Sequence, residues 1–176
     1  MKNDHELIKL FQKGDQTAYD RLVRKYLYNT VGFFYTITGD KMVAEDLAQG
    51  VFFKLFKTLG NFRFKSAFST YLYRINLNTA NSWFTRNKWK NLLHLDQILN
   101  QQKNDTSIAT EWLSKELWDA ISNLPKKQRS VVVMRVAEKL PYKEISTITG
   151  MSENTAKVNY HHALQTLKKV LNNERN

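Results

Sequence analysis

A chain of 176 residues, 42% hydrophobic and 24% charged, can build one large core or two small ones. Its 27 Lys and Arg against 16 Asp and Glu leave a formal net charge of +11, which predicts attraction to a polyanion, either a nucleic acid or an acidic membrane surface. The absence of cysteine excludes a disulfide framework and a thiolate zinc site and fits a reducing, cytoplasmic setting, while a polar N-terminus and the lack of an apolar run near ~20 residues argue against secretion and membrane insertion.

Apolar residues recur at helical spacing almost throughout and no segment alternates like a strand, so the expected class is all-α. A short first helix is expected over about Asp4 to Gln12, closed by Gly14. Asp15 then caps a long helix carrying Tyr19, Leu22, Val23, Tyr26 and Phe33. Gly39 and Asp40 punctuate the next boundary, and a third helix runs from Lys41 to Leu59. A loop from Gly60 to Ser66 leads into a fourth helix from Ala67 to about Asn87, with Phe68, Leu72 and Ile75 as core. From Leu92 to Thr110 the composition turns to Asn, Gln, Asp, Ser and Thr, which have little to bury, and this stretch reads as a flexible linker. Beyond it, Glu111 to Asn123, Lys126 to Glu138 and Tyr142 to Thr149 read as helices, and Ser152 caps a last one reaching about Leu171. Pro125 and Pro141 are expected at first helical positions, where a missing N–H costs least. The expected organisation is two small helical domains, 1–91 and 111–176, joined by a linker over 92–110.

The basic charge is not evenly spread. Asp46 and Asp96 bracket 49 residues without an acid, which hold eight Lys and Arg interleaved with Phe62, Phe64, Phe68, Tyr71, Tyr73, Trp83 and Trp89. Cations can follow a phosphate backbone while rings stack on unpaired bases, so the stretch suits single-stranded nucleic acid. Most of these rings can serve as core, but some of Phe62, Phe64 and Trp83 are expected not to. A second signal is Tyr142-Lys-Glu-Ile-Ser-Thr-Ile-Thr-Gly-Met-Ser-Glu-Asn-Thr-Ala-Lys-Val, which has the form of a helix-turn-helix. Ile145 and Ile148 face inward, Gly150 turns, Met151 packs behind it and Ser152 starts a helix suited to a major groove. No acid occurs from Asn154 to Asn173, and Asn154, Lys157, Asn159, His161 and His162 offer polar groups to base edges and phosphates. Adjacent His161 and His162 point in different directions on a helix, and His5 and His94 stand apart, so no metal site or cofactor is expected. No nucleophile, base and orienting group stand at a recognisable spacing, so no catalytic residues are expected.

Ala44-Glu-Asp-Leu-Ala-Gln-Gly-Val-Phe, Phe68-Ser-Thr-Tyr-Leu-Tyr-Arg-Ile-Asn-Leu-Asn, Leu124-Pro-Lys-Lys-Gln-Arg and the helix-turn-helix resemble, in order, the signature blocks of extracytoplasmic-function sigma factors of the sigma-70 family. The resemblance spans nearly the whole chain except the linker and the extreme termini. It implies an alternative sigma factor that binds RNA polymerase core as a monomer and directs promoter-specific transcription initiation. Core contacts would fall on Asp46, Gln49, Gly50 and Phe53, where Asp46, Gln49 and Phe53 share a helix face opposite Leu47, Ala48, Val51 and Leu55. Gly50 departs from the family, which usually has Glu there. The second block and its preceding loop would hold the −10 element as single strand through Phe62, Arg63, Phe64, Lys65, Arg74, Asn78, Asn81 and Ser82, with a base drawn from the stack. The last helix would read the −35 duplex through Ser152, Glu153, Asn154, Thr155, Lys157, Val158, His161 and His162. The resemblance further implies an anti-sigma factor that holds the protein when free of core.

Two other readings account for part of the chain. A free-standing helix-turn-helix regulator explains Tyr142 to Leu171 equally well, but leaves the acid-free aromatic stretch and the Asp46 face without a purpose, and would need a dimer to double its contacts. A nucleic-acid-processing enzyme would need an acid–base or metal constellation.

Overall fold

The computed structural model describes residues 3–92 and 117–173. Among these the chain forms eight helices and no strand. They are α1 (Asp4–Gln12), α2 (Gln16–Thr38), α3 (Lys41–Leu59), α4 (Phe68–Leu92), α5 (117–123), α6 (Lys126–Val136), α7 (Tyr142–Thr149) and α8 (Glu153–Asn173). The expected linker lies outside the described residues except for Leu92, which ends α4. The chain folds as two compact units, the first of Met1–Ala80 and Thr147–Thr149, the second of Asn81–Ser146 and Gly150–Asn176. The division therefore falls inside α4.

In the first unit, local chemistry fixes each helix end. Asn3 and Glu6 close a reciprocal capping box at the start of α1, and the Asp15 carboxylate accepts from the Thr17 N–H at the start of α2. The hydrogen bonds from Thr17 hold the Asp15 carboxyl below its ordinary range. Gly39 adopts the left-handed conformation (φ 66) that ends α2, and Asp40 caps α3 through the Met42 and Val43 N–H groups. With only these two residues between them, α2 and α3 fold into a helical hairpin. Phe33, Phe34 and Ile37 are buried from α2, and Ala44, Leu47, Ala48, Val51 and Leu55 from α3. α1 adds Leu7 and Ile8 and is tied to α2 by an ion pair of 2.6 Å between Asp4 and Lys25. The Tyr26 hydroxyl donates to the same carboxylate, and burial raises its pKa. Phe68, Leu72 and Ile75 of α4 are core, as their spacing requires.

In the second unit α6 is the central element, with six consecutive buried residues from Arg129 to Met134. A helix covered all round cannot be amphipathic, and its neighbours must surround it. α8 packs on it with Ala156, Ala163 and Leu167, spaced at i, i+7 and i+11. Three expectations need correction. α4 runs to Leu92, not to about Asn87. α6 stops at Val136, short of Glu138, because Lys139 turns left-handed (φ 52) and the Leu140 N–H returns to the Met134 carbonyl. Pro125 and Pro141 are N-cap residues, one position ahead of the first helical turn, where their missing N–H still breaks no bond.

Candidate nucleic-acid and polymerase interface

The first candidate surface is one face of α3. Leu47, Ala48, Val51 and Leu55 are buried, which turns Asp46, Gln49, Gly50 and Phe53 to solvent. Phe53 is 63% exposed, with the Lys57 ammonium 4.1 Å from its ring centroid. Met42, 76% exposed, stands four residues before Asp46 and extends the same stripe, a residue that sequence reasoning overlooked. Gly50 meets nothing: a β-carbon built there finds no atom within 4 Å. Its presence is therefore not a packing requirement.

The second surface is the 60–66 loop with the start of α4. They form an open, shallow cavity of ≈ 390 Å³ lined by Lys57, Thr58, Asn61, Phe62, Arg63, Lys65, Ser66, Tyr71 and Arg74. Four cations and no carboxylate line it, and its size lies in the range of small-molecule pockets, roughly 300–1,000 Å³. Phe62 forms one wall, its ring 4.9 Å from Tyr71, whose hydroxyl donates to the Thr58 hydroxyl at 2.8 Å. Of the residues expected to hold a single strand, Phe62, Arg63, Lys65 and Arg74 come together here, but Arg74 donates from Nε to the Ile148 carbonyl at 2.7 Å and from Nη2 to the Thr147 carbonyl at 2.9 Å. Asn78 and Ser82 are exposed further along α4. Phe64 does not line the cavity. It takes a left-handed backbone (φ 55) and turns its ring to His5 of α1.

Asn81 stands apart as well. It is 6% exposed, and its amide is spent within the second unit: Nδ2 donates to Ser130 Oγ at 3.2 Å, and Oδ1 accepts from Arg129 Nε at 2.9 Å. Arg129 also donates to the Ser122 carbonyl at 2.8 Å and lies 5.4 Å from the Phe84 ring centroid. Burial lowers its pKa. In this arrangement Asn81 is buried and engaged within the second unit. Lys57, Thr58, Asn61, Ser66 and Tyr71 are the cavity residues that sequence reasoning did not assign. Tyr71 was already visible among the aromatics of the acid-free stretch.

The third surface is α8. Gly150 ends α7 in the left-handed conformation (φ 76), its N–H donating to the Ser146 carbonyl at 2.8 Å. Ser152 Oγ then accepts from the Thr155 N–H at 3.1 Å, capping α8. With Ala156 and Ala163 inward, Glu153, Asn154, Lys157, Val158, His161 and His162 are exposed. The Ser152 and Thr155 hydroxyls pair with each other at 2.8 Å, so both serve the cap first. Arg135 stiffens the base of the motif, 4.9 Å from the Tyr142 ring centroid and 6.0 Å from that of Tyr160. His161 faces Gln165 at 3.0 Å, and the two histidine rings lie 6.5 Å apart. Among the described residues no cluster of three metal-ligating side chains occurs, and no helix is long and apolar enough to cross a membrane.

Two family models match the chain, Sigma-70 region 2 over residues 17–90 and Sigma-70 region 4 over residues 114–167. Together they cover most of it, and each falls on a different part of the surfaces above. The chain is 28% identical to the RNA polymerase sigma-H factor of Pseudomonas aeruginosa, over 97% of this chain and 94% of that protein. It is 29% identical to the ECF RNA polymerase sigma factor SigW of Bacillus subtilis, over 93% and 94% of the two chains. In fold it is similar to CnrH, solved in complex with the cytosolic domain of CnrY, with a TM-score of 0.61 at 17% identity, covering 96% of this chain and 97% of that one. It is also similar to the sigma factor RpoE of Bartonella quintana, solved with the anti-sigma factor NepR, with a TM-score of 0.53 at 18% identity, covering 88% and 96%.

Proposed function

The chain belongs to the sigma-70 family, in its extracytoplasmic-function branch, and from that premise we propose how its surfaces divide the work of promoter-specific transcription initiation with RNA polymerase. Residues 1–91 bind the polymerase core and hold the −10 element, a linker over 92–110 bridges the two promoter elements, and residues 111–176 read the −35 element as duplex. The observation that carries this division is the coincidence of matches and surfaces. The region 2 match contains the exposed α3 face and the basic, aromatic cavity, and the region 4 match contains the helix-turn-helix. A free-standing regulator would have no use for the first two.

Core docks on Asp46, Gln49, Gly50 and Phe53, with Met42 beside them. A base of the opened strand enters the cavity against Phe62 and Tyr71 while Arg63 and Lys65 neutralise phosphates, repaying the few kcal/mol of unstacking. On α8, Asn154, Lys157, Val158 and His161 face the major groove. The protein supplies no catalytic group; bond formation belongs to the polymerase. It works in the cytoplasm as a monomer on core, and an anti-sigma factor holds it otherwise, as family membership implies.

Reconstitution with core tests the division. Asp46→Arg should abolish association with core while the helical signal in circular dichroism stays unchanged. Arg63→Ala should bind core normally and lose affinity for the −10 single strand. If Asp46→Arg associated like the parent protein, the docking face would be elsewhere.

A further inference from the structure

Helix α1 precedes the residues matched to region 2, which begin at Thr17, so no role attaches to it from that match. It nonetheless bears directly on the 60–66 loop. His5, Lys9 and Gln12 stand at i, i+4 and i+7 and so share one helix face. The Gln12 amide nitrogen donates to the Phe62 carbonyl at 3.0 Å and to the Leu59 carbonyl at 3.2 Å, bridging the loop and the last turn of α3. The His5 ring lies 4.3 Å from the Phe64 ring, and the Lys9 ammonium is 5.9 Å from the centroid of that same ring. Leu7 and Ile8 are buried, and Asp4 is fixed to Lys25 and Tyr26, so α1 is a braced support and not a loose end.

We propose that α1 is the positioning element of the base-reading loop, with Gln12 and His5 as positioning residues for recognition of the −10 strand. The inference rests on the reading that this loop takes up an unpaired base. Phe64 takes a left-handed backbone (φ 55), which is uncommon for a bulky non-glycine residue. Its ring is packed against the His5 ring, the Lys9 ammonium and Phe62, whose ring is 5.1 Å away. With Phe64 drawn to α1, its neighbours Phe62, Arg63 and Lys65 are left lining the cavity. Gln12 then fixes the backbone of Phe62, the ring that forms the wall. A loop already ordered before the strand arrives loses less freedom on binding, and this matters most for the base whose fit depends on wall position.

The test uses holoenzyme assembled from core and the full chain. The probes are labelled single-stranded oligonucleotides carrying the −10 element of a promoter this holoenzyme initiates, with each base substituted in turn. Gln12→Glu keeps shape but sets a carboxylate oxygen against two carbonyls, and His5→Ala removes the ring. Both should lower discrimination between cognate and substituted oligonucleotides by about three- to tenfold, the order of one lost hydrogen bond or contact. Affinity for core and for −35 duplex should not change, and His5→Phe, which keeps a ring on Phe64, should restore discrimination. Parental discrimination in both variants, with binding lost in Arg63→Ala, would overturn the role of α1 alone. Parental binding in Arg63→Ala as well would overturn the loop reading and this inference with it. Loss of core affinity in Gln12→Glu and His5→Ala would make α1 a general scaffold and overturn positioning.

Discussion

Replacing Gly50 by Ala should stabilise the protein while leaving the rest of the α3 docking face able to hold core. Gly50 lies in the interior of the 19-residue helix α3, is exposed, and leaves room for a β-carbon with no atom within 4 Å. A glycine in such a position costs about 1 kcal/mol relative to alanine, through the backbone freedom it loses on folding. No new clash offsets that gain. In a unit of about 80 residues, 1 kcal/mol raises Tm by roughly 4–8 °C. Far-UV circular dichroism during heating, followed by titration with core, measures both expectations. Gly50→Glu, the residue common in the family, should keep most of the gain. Repulsion from Asp46 four residues before and attraction to Lys54 four residues after are each worth about 0.2–0.5 kcal/mol and nearly cancel. A carboxylate added to the docking face should then strengthen core association. An unchanged or lowered Tm for Gly50→Ala would refute the reasoning, since it would mean that α3 needs glycine there for its backbone.

Other substitutions probe separate parts of the account. Lys157→Ala should weaken −35 duplex binding and lower the slope of log affinity against log salt by about 0.9, as expected for one lost phosphate contact in a titration with sodium chloride. An unchanged slope would remove Lys157 from the interface. Asn81→Ala should destabilise the second unit by roughly 1.5–3 kcal/mol, because the buried Arg129 Nε loses its acceptor. Urea unfolding measures this, and a parental midpoint with weakened −10 binding would instead make Asn81 a reader. Phe34→Ala, at a fully buried position in the helical hairpin, should cost about 3–5 kcal/mol in the same assay.

Much of the fold was legible because its determinants are local. Asp15, Gly39, Asp40, Gly150 and Ser152 each act within a few residues of their own position, so α3 and α7 begin and end where the sequence reading put them. The end of α6 was missed because Lys139 turns left-handed where a glycine would have announced it. Distant partners were harder to foresee. Helical period puts Asn81 close to the face of Arg74 and Asn78, but residues 48 and 49 positions away in sequence bury it. Phe64 looked like a free ring in the loop until α1 claimed it. Gln12 and its acceptor Phe62 are 50 residues apart, and no spacing rule connects them. The exposed faces of α3 and α8 follow from periodicity, each as the complement of a buried stripe, but it was the family resemblance that singled out the α3 face for core.

The central claim is that this chain makes RNA polymerase core initiate at particular promoters. The most direct measurement adds the purified protein to core with genomic fragments of the source organism and maps the 5′ ends of the transcripts. The account predicts a stable complex and initiation at a small set of defined sites, lost with Asp46→Arg. Duplex binding retained without any complex with core, and with no transcript dependent on the protein, would contradict it.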